Sequence, residues 1–368
     1  MAKPVYAFEE ADSKKRMLLG GKGAGLSEMT RLKLPVPPGF IITTEVCNKY
    51  YDNNKKLPKD LMSAVMKNIT KMEKKTGKKW NSTKNPLLVS VRSGAAISMP
   101  GMMDTILNLG LNEKTVEGFA EQTKNPRFSW DSYRRFIQLF GKVVFGVNDE
   151  KFDHVLDSAK TKQGVSDDSK LNVESLKTIV SEYKKICEAH TKRKFPDSPK
   201  EQLELSIEAV FRSWMGERAI VYREKNNITK DIANGTAVNV VTMVFGNMGD
   251  DSATGVVFTR NGHNGKKEIE GEYLINAQGE DVVAGVRTGK NIELLKKDMP
   301  KSHKELSNAC TKLEKHFREP QDIEFTIEQG KFYLLQTRTA KMSAAALVKT
   351  SVDMVKEKLI DKNRALTR

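Results

Sequence analysis

Cysteine is scarce in this sequence: Cys47, Cys187 and Cys310 stand far apart and make no metal-type spacing. That pattern speaks against a disulfide framework and for a reducing, cytoplasmic compartment. Long apolar runs are missing as well. Nothing approaches the roughly 20 consecutive apolar residues of a membrane span, and the N-terminus has no apolar signal core, so no membrane partner is expected. Acidic residues are outnumbered, leaving a net charge of +15. Yet no arginine-rich arm and no basic run interleaved with aromatics is present, so no nucleic-acid partner is expected. Attraction of an anionic small substrate, or solubility, accounts for the excess of base. No internal repeat and no low-complexity tract occurs.

What is present divides by pattern. With 368 residues, the chain fits two or three domains. A short opening strand at Val5 to Phe8 precedes Leu18-Leu-Gly-Gly-Lys-Gly-Ala-Gly-Leu26. Four glycines around Lys22 let backbone approach a ligand, and Leu26, Met29 and Leu32 mark one face of a following helix. A glycine loop opening a helix suits phosphate, but it equally describes a flexible loop with a solvated lysine. Leu87 to Val91 reads as a buried strand ending at Arg92-Ser-Gly94. The compact run Ser98-Met-Pro-Gly-Met-Met-Asp-Thr105 shows exposed methionines, as a partner surface, a substrate cover or packing within its own domain.

From about Leu111 to Pro196 the period becomes helical. Tyr133, Phe136, Ile137 and Phe140 form one stripe; Leu176, Ile179, Val180 and Tyr183 form another. Arg134 and Arg135 beside the first stripe are expected to face solvent. After an amphipathic helix through Leu203 to Trp214, strands are predicted at Ala237 to Phe245, Gly255 to Thr259 and Glu272 to Asn276. Between the first two lies Gly246 to Gly255, a glycine-punctuated loop able to cover phosphates.

Pro320 to Arg338 reads as a hairpin turning at Gly330. Asp322 and Glu324 are two apart, so both carboxylates leave one face. A three-residue loop with Gly330 left-handed would return Gln336 and Arg338 on that face; a two-residue turn without a bulge would not. Such a face is either solvated or a ligand set for a hard divalent cation beside a phosphate.

Leu19-Gly-Gly-Lys-Gly-Ala-Gly25, Ser90-Val-Arg-Ser-Gly94, Ser98 to Gly110, Gln278-Gly-Glu-Asp to Thr288 and Gln321-Asp-Ile-Glu-Phe-Thr-Ile-Glu328, in that order, resemble the N-terminal nucleotide-binding domain of the pyruvate, phosphate dikinase family. The resemblance implies an α/β (α+β) fold of ATP-grasp type, with two lobes that clamp ATP and Mg²⁺. It implies a first lobe of 1–110 plus 198–243, a helical insertion at 111–197, and a second lobe at 244–341. Residues 342–368 would be a helical linker toward a phosphohistidine domain. Lys22, Arg92 and Arg338 would hold the triphosphate and carry the catalytic charge. Glu324 and Gln336, with Asp322 beside them, would ligate Mg²⁺. Gly101, Thr254, Gly255 and Glu280 would contact nucleotide, and Thr242-Met243-Val244 would form the hinge against adenine.

The family converts ATP, inorganic phosphate and pyruvate to AMP, pyrophosphate and phosphoenolpyruvate. A swivelling phosphohistidine domain carries the phosphoryl group to a pyruvate-binding barrel, and a homodimer is among the assemblies allowed. None of the five histidines lies in the expected Thr-Ser-His context, so the expectation is an isolated domain that binds ATP and Mg²⁺ without completing the reaction. Two departures stand out: Ala96 occupies a place where the family commonly has arginine, and Thr339-Ala-Lys-Met342 replaces a glycine-and-arginine segment. A phosphoenolpyruvate synthase-like enzyme and a non-catalytic nucleotide-binding adaptor are the alternatives.

Overall fold

The computed structural model describes residues 3–283 and 288–368, without the side chains of Glu280 and Val283. Two compact units are present, one of residues 1–24 and 38–243 and one of 25–37 and 244–368.

The first unit is built on a five-stranded sheet. Its strands are β1 (Val5–Ala7), β2 (Gly39–Ile42), β3 (Val89–Gly94), β4 (Thr105–Leu109) and β5 (Ala237–Thr242). They lie in the order β1-β2-β5-β3-β4, every neighbour antiparallel. Phe40, Val89, Val91, Val238 and Val240 are buried, as an apolar strand covered by helices requires. The Leu61–Thr76 helix buries Val65, Ile69 and Met72, and the Pro199–Trp214 helix buries Leu203, Ile207, Val210 and Phe211. Both stripes follow the helical period.

Residues 111–197 form the expected helices: Glu113–Thr123, Pro126–Val143, Asp149–Gln163 and Val173–Thr191. Asparagine starts all four. Asn112, Asn125, Asn148 and Asn172 each accept backbone N–H bonds of the first turn, which satisfies donors the helix itself cannot. Tyr133, Phe136, Ile137 and Phe140 are fully buried, as are Leu176, Ile179 and Tyr183 of the Val173–Thr191 helix that packs against theirs. Arg134 departs from the sequence expectation, being only 3% exposed. Its guanidinium pairs with Asp131 at 2.7 Å and Asp168 at 3.2 Å. Arg135 also turns inward, to Asp131 at 3.2 Å. Burial opposes the Asp131 charge, but Arg134 and Arg135 hold its carboxyl below the ordinary range.

The second unit carries a second antiparallel sheet. Its strands are β6 (Ala253–Phe258), β7 (Glu270–Ile275), β8 (Lys290–Asn291), β9 (Gln321–Glu328) and β10 (Lys331–Thr339), in the order β10-β9-β6-β7-β8. Ile323, Phe325 and Ile327 leave one face of β9 and are fully buried, as are Leu306 and Leu313 of the Pro300–Phe317 helix. The opposite face displays Asp322, Glu324 and Thr326 by strand alternation. Residues 342–368, read from sequence as a linker, belong to this unit. Arg260, fully buried, donates to Glu314 and to Glu357 at the end of the Ala344–Lys356 helix, both at 2.8 Å.

Candidate functional site

In the first unit, Gly20 kinks the Arg16–Arg31 helix with φ of 69°. A Cβ there would collide with the Gly94 carbonyl, and the Gly21 amide donates to Ala95 O at 2.8 Å. The glycine loop therefore lies directly on the end of β3, an approach only glycine permits. Lys22 follows, half-buried, with its Cβ 3.5 Å from where a Cβ on Gly94 would stand. Arg92 lies two residues before Gly94 and so shares its face. Lys22 and Arg92 are thus brought to one end of β3. Arg92 stands between Thr105 of β4 and Asn239 of β5, also half-buried.

The methionine run turns through Gly101, whose φ is 72° and whose missing Cβ faces open space. Arg218 holds the run, donating to Gly101 O at 3.3 Å and pairing with Asp104 at 3.5 Å. Burial pushes the Asp104 carboxyl up, with Arg218 acting against it. Met99 is buried, and Met102 and Met103 are half-buried, so the exposed methionines expected from sequence are not found. At the end of β5, the amides of Thr242 and Met243 are spent on Pro38 O and Leu88 O, both at 2.9 Å. The division between units falls directly after Met243.

In the second unit, the hairpin departs from expectation in an instructive way. Glu328 pairs with Lys331, so the loop is only Gln329-Gly330, not three residues. Both take positive φ, 48° and 71°, as a type I′ turn requires. Parity is restored five residues beyond Gly330. Leu334 pairs with Phe325 but Gln336 pairs with Glu324, leaving Leu335 as a bulge. Gln336 therefore stands directly opposite Glu324, and Arg338 opposite Asp322. Arg338 Nε donates to Asp322 Oδ2 at 2.7 Å. Asp322 Oδ1 is buried without a protein partner. Burial raises the Asp322 carboxyl above the ordinary range even though Arg338 opposes it.

Asp322, Glu324 and Gln336 form an oxygen-donor set that fits a hard cation. No group of three or more His, Cys, Asp or Glu suited to a metal occurs among the described residues. Mg²⁺ fits such a sparse set, because it commonly takes one or two carboxylates and completes its shell with phosphates and water.

Thr254 and Gly255 lie in β6, paired on both sides, not in the preceding loop. Thr254 Oγ1 donates to Phe325 O at 3.1 Å and faces Thr326. A Cβ on Gly255 would stand 2.6 Å from the Phe325 ring, so its glycine serves packing. Glu280 falls in the Gly279–Val283 helix, and its expected role lies outside the described side chains. Sequence reasoning passed over Glu328, which accepts the Phe245 amide at 2.7 Å just after Val244. It also passed over Arg218 and Asn239. No local pattern marks these residues, since their partners are distant in sequence.

Two mixed α and β units, one with a glycine loop against β3, which runs on through Arg92 to Gly94 and does not stop before the arginine, and one with an acidic hairpin, define an ATP-grasp-type nucleotide-binding protein. Residues 16–57, 53–304 and 299–359 match the family described as "Pyruvate phosphate dikinase, AMP/ATP-binding domain", and the chain belongs to that family. A "Pyruvate, phosphate dikinase" of Entamoeba histolytica is 54% identical over 99% of this chain and 41% of its own length. One of Clostridium symbiosum is 53% identical over 100% of this chain and 42% of its own. A "Pyruvate, phosphate dikinase 1, chloroplastic" of Arabidopsis thaliana is 47% identical over 99% of this chain and 38% of its own. The chain spans about two fifths of the length of these relatives. No helix among the described residues is long and apolar enough to cross a membrane.

Proposed function

We propose that this chain is the ATP- and Mg²⁺-binding part of a pyruvate, phosphate dikinase. The observation that carries the reading is the bulge at Leu335, which sets the Gln336 carboxamide opposite the Glu324 carboxylate. A solvated hairpin face has no need of that offset.

In this reading a histidine nitrogen of another domain attacks the β-phosphorus of ATP. The new N–P bond forms as the bond from that phosphorus to the α,β-bridging oxygen breaks, and AMP leaves with the oxygen. The nucleophile arrives from elsewhere, so this chain supplies charge stabilisation and position, not a base. Lys22 and Arg92 bind the triphosphate and offset the charge that develops on it; Arg338, held by Asp322, adds a third cation. Glu324 and Gln336 would hold Mg²⁺, which when bound neutralises phosphate charge. Gly101, Glu280, Thr254 and Gly255 belong to the nucleotide surroundings, with adenine against Thr242-Met243-Val244. Inorganic phosphate, a phosphohistidine domain, a pyruvate-binding barrel and a homodimeric whole enzyme complete the proposal. The cytoplasm is the proposed compartment.

Thermal unfolding tests it directly. ATP with Mg²⁺ should raise the melting temperature, and Arg92→Ala should remove most of that rise. A folded sample that shows no nucleotide-dependent shift would sink the proposal.

A further inference from the structure

Asn239 stands at the middle of β5, fully buried, between Ile41 of β2 and Arg92 of β3. Its side chain leaves the same face as that of Arg92. Nδ2 donates to Arg92 O at a long 3.4 Å, and Oδ1 has no hydrogen-bond partner. A buried acceptor left unmatched destabilises a fold, so its retention points to a use.

The surroundings indicate the use. A Cβ on Gly23 would stand 2.9 Å from Asn239 Oδ1, and one on Gly94 would stand 2.7 Å from Nδ2. The carboxamide is thus the floor beneath both the glycine loop and the end of β3, with its unmatched oxygen toward the loop. Lys22 immediately precedes Gly23, and Arg92 lies two residues before Gly94.

We propose that Asn239 is a positioning residue for the triphosphate grip. It fixes the spacing of Lys22 from Arg92, and its Oδ1 takes a hydrogen bond from the glycine loop when a bound triphosphate draws Lys22 toward Arg92. This rests on the nucleotide reading above and adds a residue whose effect is exerted through two others.

The experiment compares Asn239→Leu and Asn239→Ser with the unsubstituted 368-residue chain. Melting temperature and affinity are measured without ligand, with Mg²⁺-ATP, and with Mg²⁺-tripolyphosphate. Leucine keeps the branched shape of the side chain without an unmatched acceptor, so the ligand-free melting temperature should hold or rise. Affinity for both ligands should nevertheless fall several-fold to about tenfold, the size of an ordinary net hydrogen bond. Serine keeps a hydroxyl and should lose less. A merely structural asparagine would lower the ligand-free melting temperature and leave affinity unchanged, which overturns the proposal. Loss with ATP but not tripolyphosphate would assign Asn239 to the base and overturns it too. Should the leucine variant not fold, unchanged affinity in the serine variant overturns it. No response to ATP in the unsubstituted chain overturns the nucleotide reading and this proposal together.

Discussion

Arg134 turns inward because Asp131 lies one helical turn before it and Asp168 reaches the same guanidinium across a loop. Removing one partner of a buried ion pair strands the other, at a cost of about 3–5 kcal/mol. Arg134→Met should therefore lower stability by that order at neutral pH, read as a shift in urea midpoint. The folded-state pKa of Asp131 is depressed, so its contribution is present above the unfolded value of about 3.9 and disappears as pH falls through the folded value. The gap between variant and unsubstituted chain should accordingly narrow below about pH 4. A gap independent of pH would mean that Arg134 acts by packing alone. None of this was legible in the sequence. Arg134 borders an apolar stripe, where a solvated arginine is the ordinary outcome, and Asp168 is remote along the chain. Lys22, Arg92 and the Asp322–Glu324 pair were legible, because each sits beside a glycine loop or in a strand whose alternation sets its direction.

At the scale of elements, the hairpin shows what alternation can and cannot give. The run of Phe325 and Ile327 with polar neighbours identified β9, and Gly330 identified the turn. The turn length was misread because Gln329 takes a positive φ that glutamine seldom adopts, so glycine alone seemed to carry the left-handed geometry. The bulge was hidden because Leu335 continues an apolar stretch and has no glycine to mark it. In a type I′ turn the first central position favours asparagine. Gln329→Asn should thus stabilise the second unit by about 0.5 kcal/mol, since the left-handed conformation costs asparagine less. Chemical denaturation of the two proteins checks this. A destabilised variant would show that the Gln329 side chain contributes something its backbone does not.

At the scale of the whole molecule, the excess of base is the one property that sequence composition left ambiguous. A net charge of +15 favours any anion, whether nucleotide or nucleic acid, and salt separates the two. A small anion held at Lys22 and Arg92 would gain from diffuse attraction, but both side chains are half-buried, so its contacts with them would be less screened. Raising ionic strength from about 0.05 to 0.3 M should weaken ATP binding only several-fold. Binding to duplex DNA through scattered lysines would instead collapse steeply, by orders of magnitude over such a range, because each neutralised phosphate releases counterions. ATP should also leave any residual DNA binding untouched, while Arg92→Ala should remove most of the ATP response and spare that binding. Steep salt dependence of the ATP response itself would mean that the nucleotide is held by the general field of the lysines and not by the glycine loop and Arg92.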